Sequence, residues 1–170
     1  INLKNNINEF IQKFSLSKYS TAPVRFEKEV LATVSRKLLS SSGIDEISGL
    51  LGSIGVPNEM KEDFWIMAKD NIDTKEELAD IWNLCKNGVN KPVIAPDDKQ
   101  FIKLAISLIG EYPREKDSWQ KLTEELKTLT GRKGKDLFMP LRSFLTGKED
   151  GPDMKKLFPL MQKIQKPESS

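Results

Sequence analysis

Asp97-Asp-Lys-Gln-Phe-Ile-Lys-Leu-Ala-Ile-Ser-Leu-Ile109 sets Phe101, Ile102, Ala105, Leu108 and Ile109 one, three, three and one residues apart. That spacing gathers the apolar side chains on one face of a helix, whereas a strand would need them at every second position. Working downstream, Ser118 to Leu129 repeats the pattern with Trp119, Leu122, Leu126 and Leu129, and Lys135 to Thr146 repeats it with Leu137, Phe138, Leu141, Phe144 and Leu145. A last helix is expected to start at Pro152, where a missing amide hydrogen costs nothing, and to bury Leu157, Phe158, Leu160, Met161 and Ile164.

Upstream, Leu78, Ile81, Trp82 and Cys85 fall at i, i+3, i+4 and i+7. Asp73 or Thr74 is expected to cap that helix, and Glu76 or Glu77 to suit its dipole. Cys85 on this apolar face reads as a small hydrophobe and not as a nucleophile. Pro57-Asn58 opens a helix carrying Met60, Phe64, Trp65 and Met67, preceded by a short one from Asp45 to Ile54 that Gly55 closes. Further back, Phe26, Val30, Val34 and Leu38 form a stripe flanked by Leu31 and Leu39, ending at serines 40 to 42 and Gly43. Asn6 to Phe14 is a short helical candidate with Ile7, Phe10, Ile11 and Phe14 on one face.

No repeat appears, and period-2 alternation is nowhere sustained, so the fold class is all-α. Asn87 to Pro96 holds a glycine and two prolines and reads as a hinge. The expected layout is a leading segment over 1–40, a first helical subdomain over 41–93 and a second over 94–170.

Composition narrows the function. The 170 residues are 38% hydrophobic and 31% charged with a net charge of +2, enough for a core but too balanced for binding nucleic acid by bulk charge alone. Histidine is absent and Cys85 is the single cysteine, which removes imidazole catalysis, an internal disulfide and a structural zinc site together. No metal is expected. No apolar run approaches the ~18 residues of a membrane span, so a cytoplasmic location is expected. The start at Ile1 suggests a piece of a longer protein.

From Lys127 to Arg142 five basic residues (Lys127, Arg132, Lys133, Lys135, Arg142) stand against the single acid Asp136. Lys135, Met139, Arg142 and Thr146 share one helical face, and Pro140 is expected to kink this helix or delay its start. Beyond it, Gly147 and Gly151 permit close approach of a ligand, toward which a helix starting at Pro152 would aim free amides. A solvated helix face and an ordinary helix-to-helix turn account for the same residues. Gly131 to Lys135 lacks the Walker spacing and has Asp136 where a hydroxyl is needed, which excludes nucleotide hydrolysis there. Two other classes stay open: a helical protein-interaction module, and a small enzyme using carboxylates, although no carboxylate pair is singled out.

The stretch Leu137-Phe-Met-Pro-Leu-Arg142-Ser-Phe-Leu-Thr-Gly147-Lys-Glu-Asp-Gly-Pro152 resembles the C-terminal signature of bacterial glutamyl-tRNA synthetases, approximately F-x-P-L-R-x-x-L-T-G-x-x-x-G-P. Phe14-Ser-Leu-Ser-Lys-Tyr-Ser-Thr-Ala-Pro-Val-Arg-Phe26 is similar to the stem-contact segment of the same family. The HIGH and KMSKS-like motifs of its catalytic half have no counterpart here. The resemblance therefore implies a helical anticodon-binding cage, not catalytic by itself, from an enzyme that joins glutamate to tRNA using ATP and Mg held elsewhere. The implied partner is tRNA for glutamate, with tRNA for glutamine as second candidate, and the implied state is a monomer. By the same resemblance Arg142 reads a base edge, and Thr146, Gly147, Gly151, Pro152 and Met154 line its pocket. Asn71 falls where some relatives place an arginine that screens the last anticodon base. Arg132, Lys133, Lys135 and Lys148 would contact phosphates, and Lys18 and Arg25 the tRNA stem.

Overall fold

A computed structural model of the chain describes residues 28–92 and 94–165, together with Ile11, Phe14, Ser15 and Ser17. Among the described residues every regular element is helical: α1 Lys28–Ser41, α2 Ile44–Ser53, α3 Lys61–Ala68, α4 Glu76–Asn87, α5 Lys99–Ile109, α6 Ser118–Thr130, α7 Lys135–Thr146 and α8 Met154–Leu157. Short 3-10 turns occupy Asn58–Met60, Pro96–Asp98 and Phe158–Leu160. The all-α reading holds. Apart from Ile11 and Phe14, the helix expected over 6–14 lies outside the described residues, as do Lys18 and Arg25.

The apolar stripes go inward largely as their spacing predicts. Phe101, Ile102, Ala105, Leu108 and Ile109 of α5 are all buried, as are Leu137, Leu141, Phe144 and Leu145 of α7. Three expectations shift. Leu129 and Phe138 are exposed, and on α1 Leu39 replaces Leu38 as the core residue. On α6 it is Thr123 that completes the buried face, its hydroxyl donating to the Trp119 carbonyl (2.9 Å). Cys85 is fully buried, and burial pushes its thiol up to about 12, so it stays protonated and inert at neutral pH.

Neither Asp73 nor Thr74 caps α4, whose N-cap is Lys75 without a side-chain bond. The Asp73 carboxylate instead accepts from Arg36 Nε (2.5 Å), Ser35 Oγ donates to the Asp73 carbonyl (2.6 Å), and Glu77 accepts from the Asp73 amide (2.7 Å). A charge-assisted bond to a guanidinium outweighs a bond to one amide, so α1 is tied to the loop before α4.

The expected long terminal helix is replaced by the single turn α8, the 3-10 turn Phe158–Leu160, and extended backbone at Met161. Pro159 is the reason: it has no amide to donate one turn back, and its ring clashes with that carbonyl. The chain then returns along α4, with the Gln162 amide donating to the Cys85 carbonyl (2.7 Å) and Gln165 Nε2 to the Asn87 carbonyl (3.0 Å). α8 packs on both α3 and α6, and one apolar cluster runs from Leu39 to Met161.

Candidate functional site

α7 carries the longest sequence motif and runs unbroken from Lys135 through Pro140 to Thr146, so Pro140 does not delay its start. A proline here cannot donate to the Asp136 carbonyl one turn back. Arg132 donates in its place, Nη1 reaching that carbonyl at 3.1 Å. The same guanidinium pairs with Asp98 (2.5 Å), donates to the Asp97 carbonyl (3.3 Å) and lies 4.4 Å over the Phe101 ring. Arg132, expected as a phosphate contact, forms an internal clamp between α7 and the start of α5. Three of its five N–H donors are engaged inside the fold.

Beside Pro140 lies a groove of about 560 Å³ between α7 and the segment joining α4 to α5. Met139, Pro140, Ser143 and Gly147 form one wall, and Val89, Lys91, Ile94 and Ala95 the other. A second hollow of about 470 Å³ adjoins it at the start of α7, lined by Lys135 and by the Arg132–Asp98 pair. The joining segment was legible in the sequence only as a hinge, so its role as a groove wall was missed. Its sharpest local signal is Lys91, a non-glycine residue held at φ 56 directly before Pro92.

Gly147 closes α7 in the left-handed conformation, φ 70, and a Cβ there would sit 3.4 Å from Val89 Cγ1. Thr146, expected on the outward face, is buried: its hydroxyl lies 2.8 Å from the Arg142 carbonyl and 3.0 Å from the Lys148 carbonyl, and accepts from the Lys148 amide (3.1 Å). It folds the turn back on α7 and offers no free polar group. Pro152 lies ahead of the last helix and not at its first position. The Lys155 amide of α8 is capped by Asp153 (2.9 Å), and α8 is four residues long, which corrects the expectation of free amides aimed at a ligand. Met154 is buried in the core, so its side chain does not line the surface.

Arg142 is half-buried, and its two terminal nitrogens differ. Nη2 donates to the Pro152 carbonyl (3.1 Å), bracing the turn from Gly147 to Pro152. Nη1 is buried without a hydrogen-bond partner. Gly151, at φ 119, stands beside it, and a Cβ there would come within 3.9 Å of Nη1. Leaving such a donor unsatisfied costs about 1–3 kcal/mol, which an acceptor arriving from outside would remove.

Structure divides the basic window. Lys135 lies at the second hollow, while Lys127 and Lys133 lie on another side of α7 with Lys155. Lys148 is exposed on the turn, and Asn71 is exposed after α3, its side-chain amide donating to the Met67 carbonyl (3.2 Å). Among the described residues the exposed large apolar side chains are Ile11, Phe14, Leu38, Ile66, Leu129 and Phe138, the last four on four different helices. Among the described residues no group of three acidic or cysteine side chains is placed to hold a metal ion, and no helix is long and apolar enough to cross a membrane.

No family model matches the chain. It is 40% identical over 164 residues to glutamate-tRNA ligase 2 of Ruegeria sp. (strain TM1040), covering 96% of this chain and 37% of that protein. Glutamate-tRNA ligase 1 of Ruegeria pomeroyi is 38% identical over the same shares. Glutamate-tRNA ligase 2 of Cereibacter sphaeroides (strain ATCC 17029) is 40% identical over 156 residues, 92% of this chain and 35% of that protein. The chain thus spans little more than a third of the curated relatives it matches. Across nearly all of its own length the chain is homologous to a segment of the glutamate-tRNA ligases.

Proposed function

We propose that the chain is the anticodon-reading part of a glutamyl-tRNA synthetase, and that unpaired anticodon bases bind at the α7 groove and the turn that follows it. The observation that carries this reading is the buried, partnerless Arg142 Nη1 beside Gly151. Sequence-specific RNA recognition acts on unstacked single-stranded bases, whose edges offer acceptors in the plane of a guanidinium. A base edge arriving here satisfies Nη1, and Nη2 moves from the Pro152 carbonyl to the same edge as the turn opens. The apolar groove wall of Met139, Pro140, Val89 and Ile94 takes the ring faces, while Lys135 and Lys148 meet phosphates.

The reading extends to tRNA for glutamate as the partner, tRNA for glutamine as a second candidate, a cytoplasmic location and a monomeric state. ATP and Mg belong to the catalytic part of the parent enzyme. The residues here do not fit them, since the Gly131 to Lys135 loop lacks phosphate-binding spacing and Arg132 beside it is held by Asp98.

Fluorescence anisotropy with an anticodon hairpin and a scrambled hairpin of equal length tests the reading at moderate salt. Arg142→Ala is expected to cut the preference by a factor of roughly 5 to 150, the equivalent of ~1–3 kcal/mol of base readout. Arg142→Lys, which keeps the charge but not the planar fork, should fail to restore it. Equal binding of both hairpins by the unaltered chain, or a preference untouched by Arg142→Ala, would overturn the proposal.

A further inference from the structure

On the side of α7 away from the groove, Lys127 of α6, Lys133 of the connecting loop and Lys155 of α8 converge on a cleft of about 320 Å³. It shares no lining residue with the groove. Phe138 stands in its wall, 44% exposed, its ring backed by buried Trp119 at 6.5 Å between centroids and 37° between planes. Among the described residues none of the three lysines is in an ion pair. The one carboxylate in the lining, Glu124, accepts from Gln120 Nε2 (3.1 Å).

These features belong together physically. A large apolar ring left 44% exposed forgoes much of the burial it could have had, whereas a ring held rigidly from behind is a stacking platform. Three unpaired ammonium groups around it repel one another and attract a polyanion. An acidic polypeptide would satisfy the charges but has no use for a flat exposed ring. A nucleotide chain uses both, its base stacking on the ring and its phosphates meeting the lysines.

We infer that this cleft is a second RNA contact, binding one unpaired nucleotide and its flanking phosphates without regard to base identity, and so holding the RNA while the Arg142 groove reads it. The inference rests on the RNA-binding reading above. Sequence alone had grouped Lys127 and Lys133 with Arg142, and only the fold separates them.

The test uses the 170-residue chain, a fluorescent single-stranded RNA decamer of mixed sequence, and the anticodon hairpin. Removing the lysines together (Lys127→Ala, Lys133→Ala, Lys155→Ala) is expected to weaken decamer binding at least tenfold. It should also lower the slope of log affinity against log salt by about 2, since each single-strand phosphate contact contributes about 0.7. Phe138→Ala should weaken decamer binding about fivefold or more, Phe138→Trp should retain it, and Phe138→Leu should not. Wild-type binding of both RNAs, weakened by Arg142→Ala but by neither the lysine nor the Phe138 changes, would overturn this cleft and leave the anticodon reading standing. Hairpin binding without decamer binding would overturn it likewise. Displacement of the decamer by polyglutamate, with no effect of Phe138→Ala, would point to an acidic protein and overturn it too. Failure of the unaltered chain to bind either RNA would sink both readings.

Discussion

Arg132→Ala separates what the sequence suggests for this residue from what the fold does with it. The guanidinium pairs with Asp98 at 2.5 Å with both side chains about three-quarters buried, lies 4.4 Å over Phe101, and supplies the donor that Pro140 withholds from the Asp136 carbonyl. A partly buried pair, a cation-π contact and a hydrogen bond of this kind contribute ~1 kcal/mol each, so their joint loss costs about 3 kcal/mol. For a domain of this size that lowers Tm by about 6–12 °C. A phosphate contact would behave in the opposite way, with stability unchanged and the salt slope of RNA binding reduced by about 0.7.

A double-mutant cycle with Pro140→Ala isolates the unusual part. Alanine at 140 restores an amide to the Asp136 carbonyl, so the Arg132 bond to that carbonyl becomes redundant. In the Pro140→Ala background, Arg132→Ala should therefore cost about 1 kcal/mol less than in the parent chain. Urea denaturation followed by far-ultraviolet circular dichroism, at fixed pH and salt, gives all four stabilities. Additivity within about 0.3 kcal/mol, or an Arg132→Ala chain as stable as the parent, would refute the clamp.

Two further outcomes follow from buried and paired groups elsewhere. Cys85, fully buried with its thiol pushed up to about 12, should resist a thiol reagent at pH 8 in the native chain and react at once in denaturant; rapid native labelling would contradict its place in the core. The Arg36 guanidinium holds the Asp73 carboxyl below its ordinary value. Its contribution is thus present above about pH 4 and lost as the pH falls through the depressed value, so Asp73→Asn should lower stability at pH 7 and converge with the parent chain under acid; a constant gap down to pH 2 would contradict this.

The helices were legible because each buries a stripe, and burial imposes a period the sequence must obey. α5 and α7 show their inward residues plainly, and α7 begins and ends where its residues say. Edges of stripes were less legible. Leu129 and Phe138 carry the right spacing, yet position 129 yields its place to Thr123, and nothing in periodicity forbids a threonine that can bond its own backbone. The last helix failed for a local reason visible in the sequence, Pro159, which interrupts an otherwise convincing run of apolar residues. Periodicity counts side chains and does not ask whether each backbone amide exists.

The site was harder to read because long cationic side chains choose partners that spacing does not encode. Arg132, Lys133 and Arg142 are neighbours in one basic window. The first turns back onto Asp98 and the Asp136 carbonyl, the second joins Lys127 and Lys155 around Phe138, and the third reaches the Pro152 carbonyl. What separates them is the loop over 131–134, from which Arg132 and Lys133 leave to different sides, together with the place of Arg142 on α7 and the turn Thr146 ties back. That turn also explains how Arg142 can be both braced and incomplete. Its Nη2 bond fixes the guanidinium plane, while Gly151 at φ 119 leaves room that a Cβ would narrow beside Nη1. On the proposed reading, a donor left unpaired here costs stability in the free chain and returns it when an acceptor arrives, which would make affinity conditional on an edge that can accept.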